Sequence, residues 1–122
     1  MPDLAYNTPA LKPVHFWGTA RENLRTLGDD VRQTTGFQLY KLQQGFLPDD
    51  WKPMPGLGAG VNEIRVQEAG NAYRLLYVAK FAEAIYVLHA FQKKTRKTSR
   101  HDVMIARQRY QQLMRWRKES VL

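Results

Sequence analysis

The residues best suited to chemistry in this 122-residue chain lie together in the segment from Leu88 to Arg100. Between residues 91 and 101 there are five Lys or Arg and no Asp or Glu, so no carboxylate within the segment neutralises its positive charge. His89 is a histidine, the residue type whose intrinsic pKa lies near neutral, and Phe91 offers a ring on which a nucleobase can stack. This combination favours a phosphate-bearing polymer, and therefore nucleic acid, as the binding partner.

The chemistry that such a site supports is cleavage of RNA without a metal, in which the neighbouring 2′-hydroxyl is the nucleophile. The reaction needs a proton acceptor, a proton donor for the departing 5′-oxygen, and cations that stabilise the charge of the phosphorane. We expect Arg65 and Arg74 to stabilise that charge, because they lie on adjacent predicted strands and a guanidinium can donate to two phosphate oxygens. Further phosphate contacts come from Lys93, Lys94, Arg96 and Lys97.

The proton-transfer groups are marked less clearly, since the chain has three histidines and no evident pair of carboxylates. A lysine among other cations has a lowered pKa, because a neighbouring like charge disfavours its protonated form. This makes Lys52, Lys93 and Lys94 candidates for the base or the acid.

His89 has the intrinsic pKa best suited to proton transfer. Strand alternation, however, predicts that it shares a face with Ile85 and Val87, and also with Phe91. If that is the core face, His89 is a structural hydrogen-bonding residue and Phe91 is a packing residue. The sequence leaves both interpretations open.

The charged candidates also have structural interpretations. Arg65 lies two residues from Glu63 on the same predicted face, and the two form a solvated ion pair in that interpretation. The lysines and arginines after Phe91 are then a solvated turn, whose members only guide phosphate.

The composition limits the class of protein. The net charge of +8 implies affinity for a phosphate backbone that falls with salt, although anionic lipid or an acidic protein partner would also satisfy it. The absence of cysteine excludes thiol catalysis, disulfides and cysteine-ligated zinc, and no His, Asp and Glu cluster has the spacing of metal ligands. We expect no cofactor, no metal and no contact with a membrane, because the chain has neither a signal peptide nor a span of about 18 apolar residues. A cytoplasmic location is expected.

The amino-terminal half is predicted to contain one strand and two helices. The strand covers Pro13–Trp17, and the first helix begins at the capping-box spacing of Thr19 and Glu22 and ends at Gly28. The second helix begins at Asp29 or Asp30 and ends at Gly45. Its inner face carries Val31, Thr35, Leu39 and Leu42.

The carboxy-terminal half predicts a loop, three strands and a helix. Three prolines and three glycines make residues 47–60 a long loop, which is uncommon in a compact domain unless it has a function. The strands cover Val61–Glu68, Tyr73–Lys80 and Ala84–Phe91, and their short connections indicate an antiparallel meander. The residues after Ser99 begin a helix with one apolar stripe, formed by Val103, Ala106, Tyr110, Leu113 and Met114.

These elements predict a single α+β domain over residues 12–118, with the order βααβββα and a small antiparallel sheet. Residues 1–11 form an amino-terminal arm in this prediction, and residues 119–122 form a carboxy-terminal tail. The helices are expected to support a sheet that carries the arginines.

Five runs of residues, in their order and spacing, resemble the HigB-like branch of the RelE/ParE superfamily of type II toxin–antitoxin toxins. The runs are Lys52-Pro53, Gly56-Leu57-Gly58, Val61-Asn62-Glu63-Ile64-Arg65, Tyr73-Arg74-Leu75-Leu76-Tyr77 and Val87-Leu88-His89-Ala90-Phe91-Gln92-Lys93-Lys94-Thr95. The resemblance covers about residues 12–115 and is most specific from His89 to Thr95. It implies a RelE-like fold of the microbial-ribonuclease type and metal-independent cleavage of mRNA, commonly on the ribosome. It also implies a cognate antitoxin, in this branch typically a helix-turn-helix protein.

We therefore expect the toxin of a type II system, an endoribonuclease that acts on mRNA. The expected catalytic residues are Arg65, Arg74, His89, Lys93 and Lys94. The expected substrate-binding residues are Lys52, Phe91, Arg96 and Lys97. Two alternatives remain: a nucleic-acid-binding module that does no chemistry, and a ParE-like inhibitor of a protein target such as gyrase.

Overall fold

The computed structural model describes residues 10–120, and these form a five-stranded sheet with three α-helices. In chain order the elements are β1 (Val14–Phe16), α1 (Ala20–Arg25), α2 (Asp29–Gln43), β2 (Trp51–Pro53), a 3-10 turn (Pro55–Leu57), β3 (Val61–Glu68), β4 (Asn71–Val78), β5 (Ile85–Lys93) and α3 (Arg100–Ser120). The predicted α+β class is confirmed.

The sheet differs from the prediction at its two edges. Its strand order is β1-β5-β4-β3-β2, with β1 parallel to β5 and all other pairs antiparallel, so the sheet is mixed. The second difference is β2, which lies within the predicted loop 47–60. Pro53 has no N–H to donate, but an edge strand tolerates proline because it has only one neighbour. The proline and glycine content of this segment obscured the short strand.

Helices cover both faces of the sheet. On one face, Leu24 of α1 and Leu39 of α2 belong to the same buried cluster as Leu75, Tyr77 and Val87. On the opposite face, which we call the α3 face, the buried residues of α3 cluster with apolar residues of three strands: Ala106 and Leu113 with Val61, Leu76, Val78 and Leu88. The α3 face is therefore apolar at one end of the strands, and the other end carries the charged residues described below.

The predicted helix faces are confirmed. Val31, Thr35, Leu39 and Leu42 of α2 are all buried, and the apolar stripe of α3 packs against the sheet. Gln38 was missed because it is polar. It is buried on α2, where its side-chain amide donates to Asp49 Oδ2 at 2.8 Å and its oxygen accepts from the Asp49 backbone N–H at 2.8 Å. These two bonds fix the start of the segment that leads into β2.

The predicted helix starts are right in place but wrong in mechanism for the first two helices. Thr19 precedes α1 without capping it, since its hydroxyl accepts a hydrogen bond from Arg109 instead. Gly28 takes the capping position of α2, and Asp29 and Asp30 lie in the first turn. By contrast, Ser99 caps α3 by accepting from the backbone N–H of Asp102 at 3.1 Å.

The predicted arm and tail at the two chain ends are only partly covered by the described residues. Most of the predicted arm over residues 1–11 falls on residues 1–9, which lie outside the described residues. At the other end, α3 continues through Ser120, past the predicted domain end at residue 118. Across residues 10–120, no helix combines the length and the apolar character needed to cross a membrane.

Candidate functional site

The strand register places most of the candidate residues together on the α3 face, where Glu63, Arg74 and Phe91 are buried and Arg65 is exposed. Arg65 of β3 lies opposite Arg74 of β4, and Arg74 lies opposite Phe91 of β5. Residues directly opposite each other share a face, and so do residues two apart along a strand. Lys52 lies opposite Glu63 in the same way. We call this group the charged face: Lys52, Glu63, Arg65, Arg74, Phe91 and Lys93.

Glu63 lies between the two arginines of the charged face. Its Oε1 is 3.9 Å from Arg65 Nε and 3.6 Å from Arg74 Nε. Both distances are too long for hydrogen bonds, so the attraction is ionic. The interpretation of Arg65 and Glu63 as a solvated ion pair is only half right. The Arg65 side chain is 41% exposed, but the Glu63 side chain is 5% exposed and therefore not solvated. One carboxylate facing two guanidiniums leaves a net positive charge at this place.

Arg74 is buried with part of its hydrogen-bonding capacity unused. Its Nη1 donates to the backbone carbonyl of Tyr73 at 2.9 Å, whereas its buried Nε has no hydrogen-bond partner. An unsatisfied buried donor on a charged group is costly to the folded state and calls for an explanation.

A bulge in β5 decides which way His89 faces. Tyr77 pairs with Val87 and Leu76 pairs with His89, which leaves Leu88 as the extra residue. The expectation that His89 shares a face with Ile85 and Val87 is therefore wrong, since a bulge interrupts strand alternation and those two residues lie in the opposite core. His89 instead lies on the α3 face and stacks on Phe91, with ring centroids 5.2 Å apart.

Both ring nitrogens of His89 are engaged. Nε2 lies 2.7 Å from Asp102 Oδ1, and Nδ1 lies 3.3 Å from Asn23 Oδ1. Burial lowers the pKa of His89 below its ordinary value, although the bond to Asp102 acts in the opposite direction. His89 is 4% exposed and Phe91 is 6% exposed, so the stacked pair is buried and Phe91 packs in the apolar cluster of the α3 face.

Arg109 of α3 shares a hydrogen-bond partner, Asn23 of α1, with this histidine. Its Nη1 donates to Asn23 Oδ1 and to the backbone carbonyl of Leu88, both at 2.8 Å, and its Nη2 donates to Thr19 Oγ1 at 2.6 Å. Burial lowers the pKa of Arg109. Three members of this network were not predicted from the sequence: Asn23, Asp102 and Arg109. Only Asp102 carries a local signal, since it stands three residues after the capping Ser99.

The cationic residues after β5 lie beside the charged face rather than on it. Lys94 follows the last residue of the strand and is exposed, as are Arg96 and Lys97. Lys93, Lys94 and Lys97 line a cleft of about 490 Å³ between this segment and α1, and Arg96 is not among its lining residues. Within residues 10–120, none of the four cations forms an ion pair with a carboxylate.

The same part of the chain contains no group of three or more His, Cys, Asp or Glu residues that could hold a metal ion. The chemistry that the charged face itself can supply is binding of an anion by Arg65 and Arg74, next to an ionisable carboxylate and an ammonium.

Comparison with known proteins gives a family for the chain. Residues 22–111 match the model of the family described as phage derived protein Gp49-like (DUF891). The match covers well over half of the chain and includes every candidate site residue. No curated protein matches the sequence. The chain therefore belongs to the Gp49-like family of phage-derived proteins, a family of toxin-like proteins.

Proposed function

We propose that this protein is the toxin of a type II toxin–antitoxin system and acts as a metal-independent endoribonuclease on mRNA bound to the ribosome. Membership of a toxin-like family supports the first part, as does the resemblance to the HigB-like branch. One observation carries the second part: Arg74 is buried beside Arg65 with its Nε unsatisfied. A phosphate is the group that both guanidiniums fit.

In the proposed reaction the 2′-hydroxyl attacks the adjacent phosphorus and the bond to the 5′-oxygen breaks, which leaves a 2′,3′-cyclic phosphate and a free 5′-hydroxyl. Arg65 and Arg74 bind the two non-bridging oxygens and stabilise the charge that grows on them. Arg74 Nε gains in the transition state the partner that it lacks in the free protein. Such an interaction raises the rate, because it is stronger in the transition state than in the ground state.

Glu63 and Lys93 are the proposed proton-transfer groups. A phosphate held by both arginines brings its ribose next to the Glu63 carboxylate, which accepts the proton of the 2′-hydroxyl. Lys93, two residues beyond Phe91 on the same face, donates a proton to the departing 5′-oxygen. His89 holds Phe91 in place, and Phe91 packs against a base of the substrate.

The experiment induces the chain in a bacterium and maps the 5′ ends of RNA fragments. We expect growth arrest and cuts within coding regions, and both should be lost in Arg65→Gln. Arg65 is partly exposed, so its replacement leaves the fold intact. Arg115→Gln removes the same charge from the exposed surface of α3 and should retain both effects.

Two outcomes would overturn the proposal. Intact RNA together with nucleic-acid binding would show a module without catalysis. Intact RNA together with induction of the DNA-damage response would show a ParE-like inhibitor of a protein such as gyrase. Coexpression with a helix-turn-helix protein encoded beside the gene should restore growth if that protein is the antitoxin.

A further inference from the structure

The outer edge of β5 is open over half of its length. β1 pairs with β5 only from Ile85 to Val87, so the rest of the strand has no neighbour on that side. Helix α1 lies across from this open edge, and the cleft of about 490 Å³ lies between them. One wall is formed by Asn23 of α1 and by Thr26 and Leu27, which directly follow the helix. The other wall is the end of β5 and the segment that follows it.

The charge within this cleft is positive. The ammonium groups of Lys93, Lys94 and Lys97 line it, and the single carboxylate among its lining residues is that of Asp102. That carboxylate is already occupied, since it accepts from Ser99 Oγ at 2.6 Å and lies 2.7 Å from His89 Nε2. The three ammonium groups therefore remain available to an anionic ligand.

The other groups of the cleft suit a flat polar ring. The edge of a sheet presents backbone N–H and C=O groups that no strand has paired, and these lie at Ala90 and Gln92 in the lining. Leu27 adds an apolar contact, and the cleft volume is in the range of pockets for small organic ligands. Anion-binding lysines beside donors, acceptors and an apolar surface match one nucleotide: a phosphate, a ribose and a base.

The cleft is continuous with the charged face. Phe91 and Lys93 belong to both, because their strand separates the two. Two residues of a strand span roughly 7 Å, which is comparable to one nucleotide step of an extended chain. An RNA strand held by Arg65 and Arg74 can therefore pass over this end of β5 and enter the cleft.

We propose that this cleft is a nucleotide subsite, which binds the nucleotide next to the scissile phosphate and reads its base through the open edge of β5. The inference rests on the proposed function, since it extends the substrate of the same site by one position. It assigns Asn23, Thr26 and Lys97 to substrate binding.

The first experiment measures cleavage, on ribosomes programmed with short messages, of an RNA that ends beside the cleavage site and of RNAs extended on either side. Extension on one side should raise kcat/KM about tenfold or more, as expected for one additional bound base. In Thr26→Trp, whose new side chain fills the cleft, this gain should be lost. Arg25→Trp places the same ring on the neighbouring exposed residue, which does not line the cleft, and should keep the gain.

The second experiment measures binding without cleavage. A nucleoside 3′-monophosphate, titrated into the isotope-labelled protein, should shift the amide resonances of Thr26, Ala90 and Gln92. Inorganic phosphate should shift only those of the lysine segment. Lys97→Gln should weaken nucleotide binding severalfold, whereas Lys118→Gln, on the exposed surface of α3, should leave it unchanged.

The outcomes separate the subsite from the reaction. If Thr26→Trp and the wild type gain equally from extension, the subsite is wrong and the ribonuclease stands. If no RNA is cut but the nucleotide shifts the cleft resonances, the subsite stands and the reaction is wrong. Resonance shifts confined to Arg65 and Arg74 would refute the subsite in either case.

Discussion

Arg74 is buried and Arg109 is half-buried, and the two arginines differ in how many hydrogen bonds they donate. Arg109 donates three hydrogen bonds, to a backbone carbonyl and two side-chain oxygens, and these join two helices to β5. Arg74 donates one, to the carbonyl of its own neighbour, and its Nε is unsatisfied although Glu63 lies 3.6 Å away. The hydrogen bonds of Arg109 are part of the fold, whereas the unsatisfied Nε of Arg74 is the group that the proposed function assigns to a ligand. If that function is right, hydrogen-bond satisfaction separates a structural arginine from a functional one.

The largest effect expected from this comparison is on cleavage by Arg74→Met. Losing one donor that binds the transition state should lower kcat by about 100-fold to 1,000-fold. Stability should also fall, because the buried Glu63 carboxylate loses the nearer of its two arginines. Single-turnover cleavage and urea unfolding measure the two effects. If kcat of the folded fraction stays unchanged, Arg74 belongs with the structural arginines.

The second prediction is that Arg109→Met affects stability and largely spares catalysis. The Leu88 carbonyl and the Asn23 side chain lose a donor in a partly buried place, which should lower the free energy of unfolding by about 2 kcal/mol. Cleavage by the folded fraction should fall much less than in Arg74→Met. Urea unfolding gives the stability, and kcat corrected for the folded fraction gives the activity. Equal losses of kcat in the two variants would contradict the assignment of Arg74 to catalysis and Arg109 to structure.

The third prediction uses the pH dependence of stability. The pKa of His89 is lowered by burial, so the unfolded chain binds a proton there more readily than the folded protein. Stability contributed by neutral His89 is therefore complete above the ordinary histidine pKa of about 6.5 and is lost as the pH falls below it, down to the lowered value. Urea unfolding at several pH values should show this loss in the wild type and in His15→Gln, but not in His89→Gln. A loss unchanged in His89→Gln would assign it to another group.

Sequence reasoning predicted what depends on local pattern. The strand Val61–Glu68, the inner face of α2 and the stripe of α3 follow from periodicity, and they have the predicted places. The adjacency of Arg65 and Arg74 followed from a short hairpin, and the register confirms it. Each of these features is determined by residues close together in the chain.

The failures concern contacts between distant parts of the chain. The bulge at Leu88 leaves no mark in the sequence and reverses the face of His89. Thr19 has the spacing of a cap but bonds to Arg109, a residue 90 positions away. The burial of Glu63 could not be predicted either, because it depends on how β3 pairs with the neighbouring strand and on the arginine that this pairing brings close. In all three cases a tertiary contact overrides a local preference.

The smallest effect concerns a third arginine, which extends the comparison to the surface. Arg117 binds both carboxylate oxygens of Glu83, at 2.7 and 3.0 Å, and lies over the ring of Phe81. The hydrogen bond from Arg117 lowers the pKa of Glu83 to about 2. Arg117→Met should raise that pKa toward its ordinary value, as measured by NMR titration of the Glu83 carboxyl.

The same ion pair contributes to stability in a pH-dependent way. Because the pKa of Glu83 is lower in the folded protein than in the unfolded chain, this contribution is present near pH 7 and is lost as the pH falls toward 2. Exposed pairs stabilise weakly, so the change in unfolding free energy should be smaller than in Arg109→Met. If it is as large, hydrogen-bond satisfaction outweighs burial in deciding what an arginine contributes here.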